Sequence, residues 1–64
     1  MDPIDLHALA GRPVEEARSL VEGQGYSFRI LVQDGKSFFA TADYRTDRVN
    51  VEVAAGKVVR ADIG

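Results

Sequence analysis

Gly35-Lys36-Ser37-Phe38-Phe39-Ala40-Thr41-Ala42-Asp43-Tyr44-Arg45-Thr46-Asp47-Arg48 occupies the middle of a 64-residue chain, and how it is read decides the fold. Two readings compete. Phe38, Ala40, Ala42 and Tyr44 alternate, and Asp34-Gly35 just before them is a strong hairpin signal, so Lys36 to Tyr44 can be a strand. That choice gives a four-stranded antiparallel sheet on one helix. Alternatively the stretch is an exposed loop, with two adjacent phenylalanines and a small-residue run, then two arginines and two aspartates within six residues. Periodicity alone leaves both open.

The flanks are clearer. Upstream, Tyr26-Ser27-Phe28-Arg29-Ile30-Leu31-Val32-Gln33 alternates, with Tyr26, Phe28, Ile30 and Val32 on one side, which predicts a half-buried strand over about 26–33. Before it, Pro13 suits the first turn of a helix because its missing N–H would be unpaired there anyway. Glu15 and Glu16 put negative charge at the positive end of that helix. Val14, Ala17, Leu20 and Val21 mark its inner face, and Gly23 and Gly25 stop it, so the helix spans about 13–23. Residues 1–10 read as an irregular lead-in from which Leu6, Ala8 and Leu9 can pack inward. Downstream, Arg48-Val49-Asn50-Val51-Glu52-Val53 alternates cleanly and buries three valines. Ala54-Ala55-Gly56-Lys57 turns the chain, and Val58 to Ile63 returns, so strands over about 48–53 and 58–63 form an antiparallel hairpin.

Composition narrows the function classes. A chain of this length is one domain with a small core, without room for a large cofactor pocket as well. Cysteine is absent, so neither a disulfide nor a thiolate metal site staples it. The net charge is −2 with the charges interspersed, which lacks the basic stripe of a nucleic-acid binder. No apolar run is long enough to span a membrane. His7 is the sole histidine and has no ligand or carboxylate at a helical spacing, so it reads as a surface residue. Ser19, Ser27 and Ser37 share that one histidine, and no phosphate-cradling glycine loop is present, so an enzyme is not expected and no cofactor or metal is implied. The acidic Met1-Asp2-Pro3-Ile4-Asp5 start is not a secretory signal. It leaves a cytoplasmic protein, or a secreted or periplasmic one whose signal has been removed.

Thr41-Ala42-Asp43-Tyr44-Arg45-Thr46-Asp47-Arg48-Val49-Asn50-Val51 resembles the reactive loop and following strand of the potato inhibitor I family. It is most similar to the short microbial peptidase inhibitors related to that family, which carry an Asp-Tyr-Arg-x-Asp-Arg-x-Asn run. Gly11-Arg12-Pro13-Val14-Glu15-Glu16-Ala17 is similar to the family's helix entry, and a terminal glycine fits as well. The likeness spans about residues 9–64. The tyrosine-to-asparagine run is its more specific part.

The resemblance implies an α+β fold: one helix on a small mixed sheet, an extended protease-binding loop over about 34–47 joining two parallel strands, and a C-terminal antiparallel hairpin. A short local hairpin at Asp34-Gly35 is compatible with it. Carried over by position, the scissile bond is Ala42–Asp43 and the loop presents Phe39, Ala40, Thr41, Ala42, Asp43 and Tyr44 to a serine protease. Arg48 then braces the loop by reaching Thr41 or Asp43, with Asn50 standing where the plant inhibitors have a second arginine and Arg45 as a further brace. Gly35 also lies further from Ala42 than the comparable glycine of the plant inhibitors, which loosens the upstream half of the loop. Alanine before the scissile bond suits a shallow pocket, so the implied target is subtilisin-like or elastase-like. Of Phe38 and Phe39, one is expected buried and one exposed. The expected state is a monomer rather than a dimer. The alternative on the same fold is a non-inhibitory protein-interaction domain.

Overall fold

A computed structural model describes residues 4–38 and 43–64. The chain is a small α+β domain with one α-helix and a four-stranded mixed sheet. A 3-10 turn, Leu6–Leu9, leads into helix α1, Val14–Gly23. The strands follow as β1 (Ser27–Gln33), β2 (Lys36–Ser37), β3 (Arg48–Ala54) and β4 (Lys57–Ile63), in the order β2-β1-β3-β4 across the sheet.

The middle stretch follows neither simple reading throughout. Among the described residues Lys36 and Ser37 pair back on β1, antiparallel to Gln33 and Val32, and the Phe38 N–H extends the contact to the Leu31 carbonyl. The two-residue turn between them has Asp34 at φ 52° and Gly35 at φ 80°. Both central residues in the left-handed region are the mark of a hairpin turn whose twist matches its strands. β1 then pairs in parallel with β3, Ser27 beside Arg48 and Ile30 beside Val51. The all-antiparallel sheet is thereby excluded, and the stretch after β2 crosses from one end of the sheet back to the start of β3. β3 and β4 run antiparallel through a second turn of the same kind, with Ala55 at φ 53° and Gly56 at φ 77°.

One face of the sheet carries the core. Val49, Val51 and Val53 of β3, Val58 of β4, Ala17 and Val21 of α1, and Leu9 are buried together. Burying each valine or leucine side chain stabilises by roughly 1.5–3 kcal/mol, so these few residues supply most of the driving force in a chain this small. Phe28 and Ile30 close the core from β1, and the Arg18 guanidinium lies 5.4 Å from the Phe28 ring centre.

Several expectations need correcting. The lead-in is not irregular throughout: the Asp5 carboxylate accepts from the N–H groups of His7 and Ala8, capping the 3-10 turn that drives Leu9 into the core. Ala8 stays exposed. Leu20 is 40% exposed rather than inward, because at 100° per residue it falls at the rim of the face centred on Ala17 and Val21. The alternation of β1 breaks at Leu31, where the register with β3 shifts. Past that bulge Val32 no longer follows Phe28 and Ile30 into the core. It lines the opposite face with Leu31, Asn50 and Glu52.

Candidate functional site

The end of the sheet where β1 and β3 begin and β4 finishes is the place at which the long crossover must be held. Arg48 is its hub. It is the first residue of β3 and only 8% exposed, an unusual setting for a guanidinium. Three contacts satisfy it. Nη2 donates to the Asp43 carbonyl oxygen at 2.8 Å, Nε donates to the Gly64 oxygen at 2.8 Å, and Nη1 lies 3.7 Å from the Asp43 carboxylate. The guanidinium offers five donors in a fixed plane, so one side chain can tie two separate backbone segments to the sheet. Charge-assisted bonds of this kind contribute about 1.5–3 kcal/mol each.

Asn50, two residues on, points the same way. Its Nδ2 donates to the Gly64 oxygen at 3.1 Å, while its Oδ1 accepts from Arg29 Nε at 2.8 Å. Gly64 in turn donates its N–H to the Arg48 carbonyl at 3.0 Å. The result is a continuous polar chain, Arg29–Asn50–Gly64–Arg48–Asp43, running from the centre of the sheet to the crossover. A Cβ built on Gly64 would sit 2.9 Å from Asn50 Nδ2 and 3.9 Å from the Tyr44 ring, so the last residue is enclosed by the arm it supports.

Arg45 is placed differently. It forms a two-pronged pair with Asp47, Nε to Oδ1 at 3.0 Å and Nη2 to Oδ2 at 2.8 Å. That hydrogen bond holds the Asp47 carboxyl below the usual aspartate range and raises the Arg45 guanidinium. Arg45 therefore stiffens the turn before β3 through its pairing with Asp47. The turn is pinned a second time by its backbone, since Ser27 N–H donates to the Asp47 carbonyl at 2.8 Å. Tyr44 is 71% exposed, and Phe38 is 44% exposed with its N–H bonded to the Leu31 carbonyl.

Of the residues the sequence offers as a protease-binding loop, Asp43 and Tyr44 are described, and both are exposed. Phe39, Ala40, Thr41 and Ala42 lie outside the described residues. Arg48 and Asn50 converge on the Gly64 oxygen, and Arg45 pairs with Asp47 in the turn before β3. Sequence reasoning missed Arg29 and underused Gly64. The available signal for Arg29 was its place among the outward residues of the β1 alternation, which parallel pairing sets beside Asn50. Among the described residues no three histidine, aspartate or glutamate side chains gather as a metal site.

No protein-family model, curated protein or solved structure matches this chain.

Proposed function

We propose that the protein is a serine protease inhibitor that offers the segment around Ala42–Asp43 as a substrate-like loop to a subtilisin-like or elastase-like enzyme. The observation that carries this reading is the buried Arg48, whose guanidinium grips the Asp43 carbonyl and ties it to the sheet. A segment docked in a protease cleft pairs its backbone with the enzyme, and the binding is tighter when little entropy is lost on docking. Bracing on the far side of the bond also matters after attack. The new amino terminus at Asp43 stays where it was, so religation competes with hydrolysis. Without disulfides, side-chain bonds have to supply that rigidity.

The test is a titration against subtilisin and a pancreatic elastase. Inhibition that Arg48→Ala abolishes and His7→Ala spares is the expected result, and Ala42→Leu should move the preference towards chymotrypsin-like enzymes. Rapid cleavage at Ala42–Asp43 with no lasting inhibition would overturn the proposal. One observation favours a second reading, a non-inhibitory interaction domain on the same fold. Asn50 spends both ends of its amide on Gly64 and Arg29, which leaves the crossover a single bracing arginine among the described residues. Absence of binding to any protease in the titration would select that reading.

A further inference from the structure

The sheet has two outer strands, and they are finished differently. On one side β2 is two residues long and carries Lys36, a short charged edge that resists pairing with other chains. On the other side β4 is seven residues long. Its first part is covered: the Gly11 N–H donates to the Val58 carbonyl at 2.7 Å and the Val58 N–H to the Arg12 carbonyl at 2.9 Å. Among the described residues these main-chain bonds end at Val58, and further along β4 the 3-10 turn lies beside the strand. The Gly64–Arg48 bond fixes the alternation of the β3–β4 ladder, in which Val49 opposes Ile63 and Val51 opposes Ala61. Ala61 and Ile63 thus fall in the pairs whose N–H and C=O groups face away from β3, and no neighbouring strand receives them among the described residues. Val59, displaced by the register shift opposite Glu52 and Val53, leaves 56% of its surface exposed on this same edge. Between the edge and the 3-10 turn runs an open groove of about 350 Å³, bordered by Leu6, Ala10, Val59 and Ala61.

The side chains along this edge are self-complementary. From Val59 to Ile63 the strand reads apolar, cation, small, anion, apolar: Val59-Arg60-Ala61-Asp62-Ile63. An antiparallel copy related by a two-fold axis through Ala61 sets Arg60 against the partner's Asp62 and Val59 against the partner's Ile63. The outward N–H and C=O of Ala61 meet their own equivalents in the same register. In the single chain Arg60 pairs with Asp62 on its own strand, at 3.1 Å, and both side chains remain largely exposed. We propose that the β4 edge is an interaction surface for a second copy of this chain, joining two sheets into one eight-stranded sheet through Ala61. The contact is one strand wide, so it belongs with small, transient interfaces and forms a concentration-dependent dimer. It is independent of the protease reading.

Sedimentation velocity over a concentration series up to about 1 mM, where a millimolar dissociation constant still registers, tests this directly. The native chain should shift from monomer to dimer across the series. Arg60→Asp and Asp62→Arg each place like charges opposite one another and should remain monomeric. Mixed in equal amounts, the two variants should recover the dimer, because 60 and 62 are then opposite in sign across the axis. Ala61→Pro removes an outward N–H without touching the β3 ladder and should abolish association while unfolding as the native chain does. A native chain that stays monomeric throughout, single variants that dimerise as the native chain does, or a mixture that fails to recover would each overturn the proposal.

Discussion

The two ends of the sheet solve the same problem by different means. At the end where β1 and β3 finish, the chain turns within two residues each time, and closure is mostly main chain. Asp34 N–H donates to the Val53 carbonyl, Val14 N–H to the Gly56 carbonyl, and one side-chain oxygen of Asp34 takes the Ala55 N–H at 2.8 Å. At the other end the chain leaves on a long crossover, and closure is mostly side chain: Arg48, Asn50 and Arg29, with Arg45 and Asp47 alongside. Tight turns bring main-chain N–H and C=O groups of neighbouring segments within reach of one another, whereas the described end of the longer connection is tied to the sheet largely by side chains that reach across to it. Stability is thus distributed at the first end and concentrated in one residue at the second.

The largest expected effect follows from that concentration. Arg48→Ala removes bonds to both Asp43 and Gly64 and should lower stability by about 3 kcal/mol, read as a shift in the urea midpoint. Arg48→Lys should recover only part, since an ammonium lacks the planar fork that serves two carbonyls at once. The matching change at the opposite end, Asp34→Ala, deletes one bond among several and should cost about 1 kcal/mol. Equal losses from Arg48→Ala and Asp34→Ala would show that the two ends are held alike.

The turn end also contains a correctable flaw. Ala55 sits at φ 53°, where a side chain on Cα is crowded by the following carbonyl, a cost of about 1–2 kcal/mol for an L-residue. Asp34, at the equivalent place in the first turn, tolerates that conformation better and uses its carboxylate as well. Ala55→Gly should therefore stabilise by about 0.5–1 kcal/mol, after allowing for the freer unfolded chain. A raised urea midpoint with an unchanged slope is the check. A loss of stability would mean that the Ala55 methyl contributes packing that outweighs the backbone strain.

The same contrast explains what could be read from the sequence. The turn end was legible because its causes are local: Asp34-Gly35 and Ala55-Gly56 announce their turns, and the valines of β3 alternate without a break. The helix was legible from Pro13 and the Ala17–Val21 stripe. Leu9 was less so, since the 3-10 turn depends on a single cap at Asp5. The crossover end resists such reading because its bonds join residues 14 to 21 positions apart, Arg29 to Asn50 and Asn50 to Gly64, and leave no periodic trace. Arg48 was singled out only through a likeness to a family. The bulge at Leu31, which turns Val32 away from the core, had no local signal at all.

The smallest effect is confined to the turn that introduces β3. Arg45 and Asp47 are both exposed, and their pairing lowers the Asp47 pKa through the hydrogen bond first and the charge second, with the Arg48 charge adding slightly. A carboxyl whose folded pKa is depressed contributes stability above its unfolded pKa and loses it as the pH falls through the folded one. The contribution is therefore complete at neutral pH and disappears only in acid below the usual aspartate range. Exposure and salt screening keep it small. A carbon-detected NMR titration of the Asp47 carboxyl should give a midpoint below the usual aspartate range, and Arg45→Gln should bring it back towards the ordinary value. A midpoint unmoved by Arg45→Gln would place the cause in the backbone around Asp47, and Arg45 would then have no part in stiffening the arm that Arg48 holds.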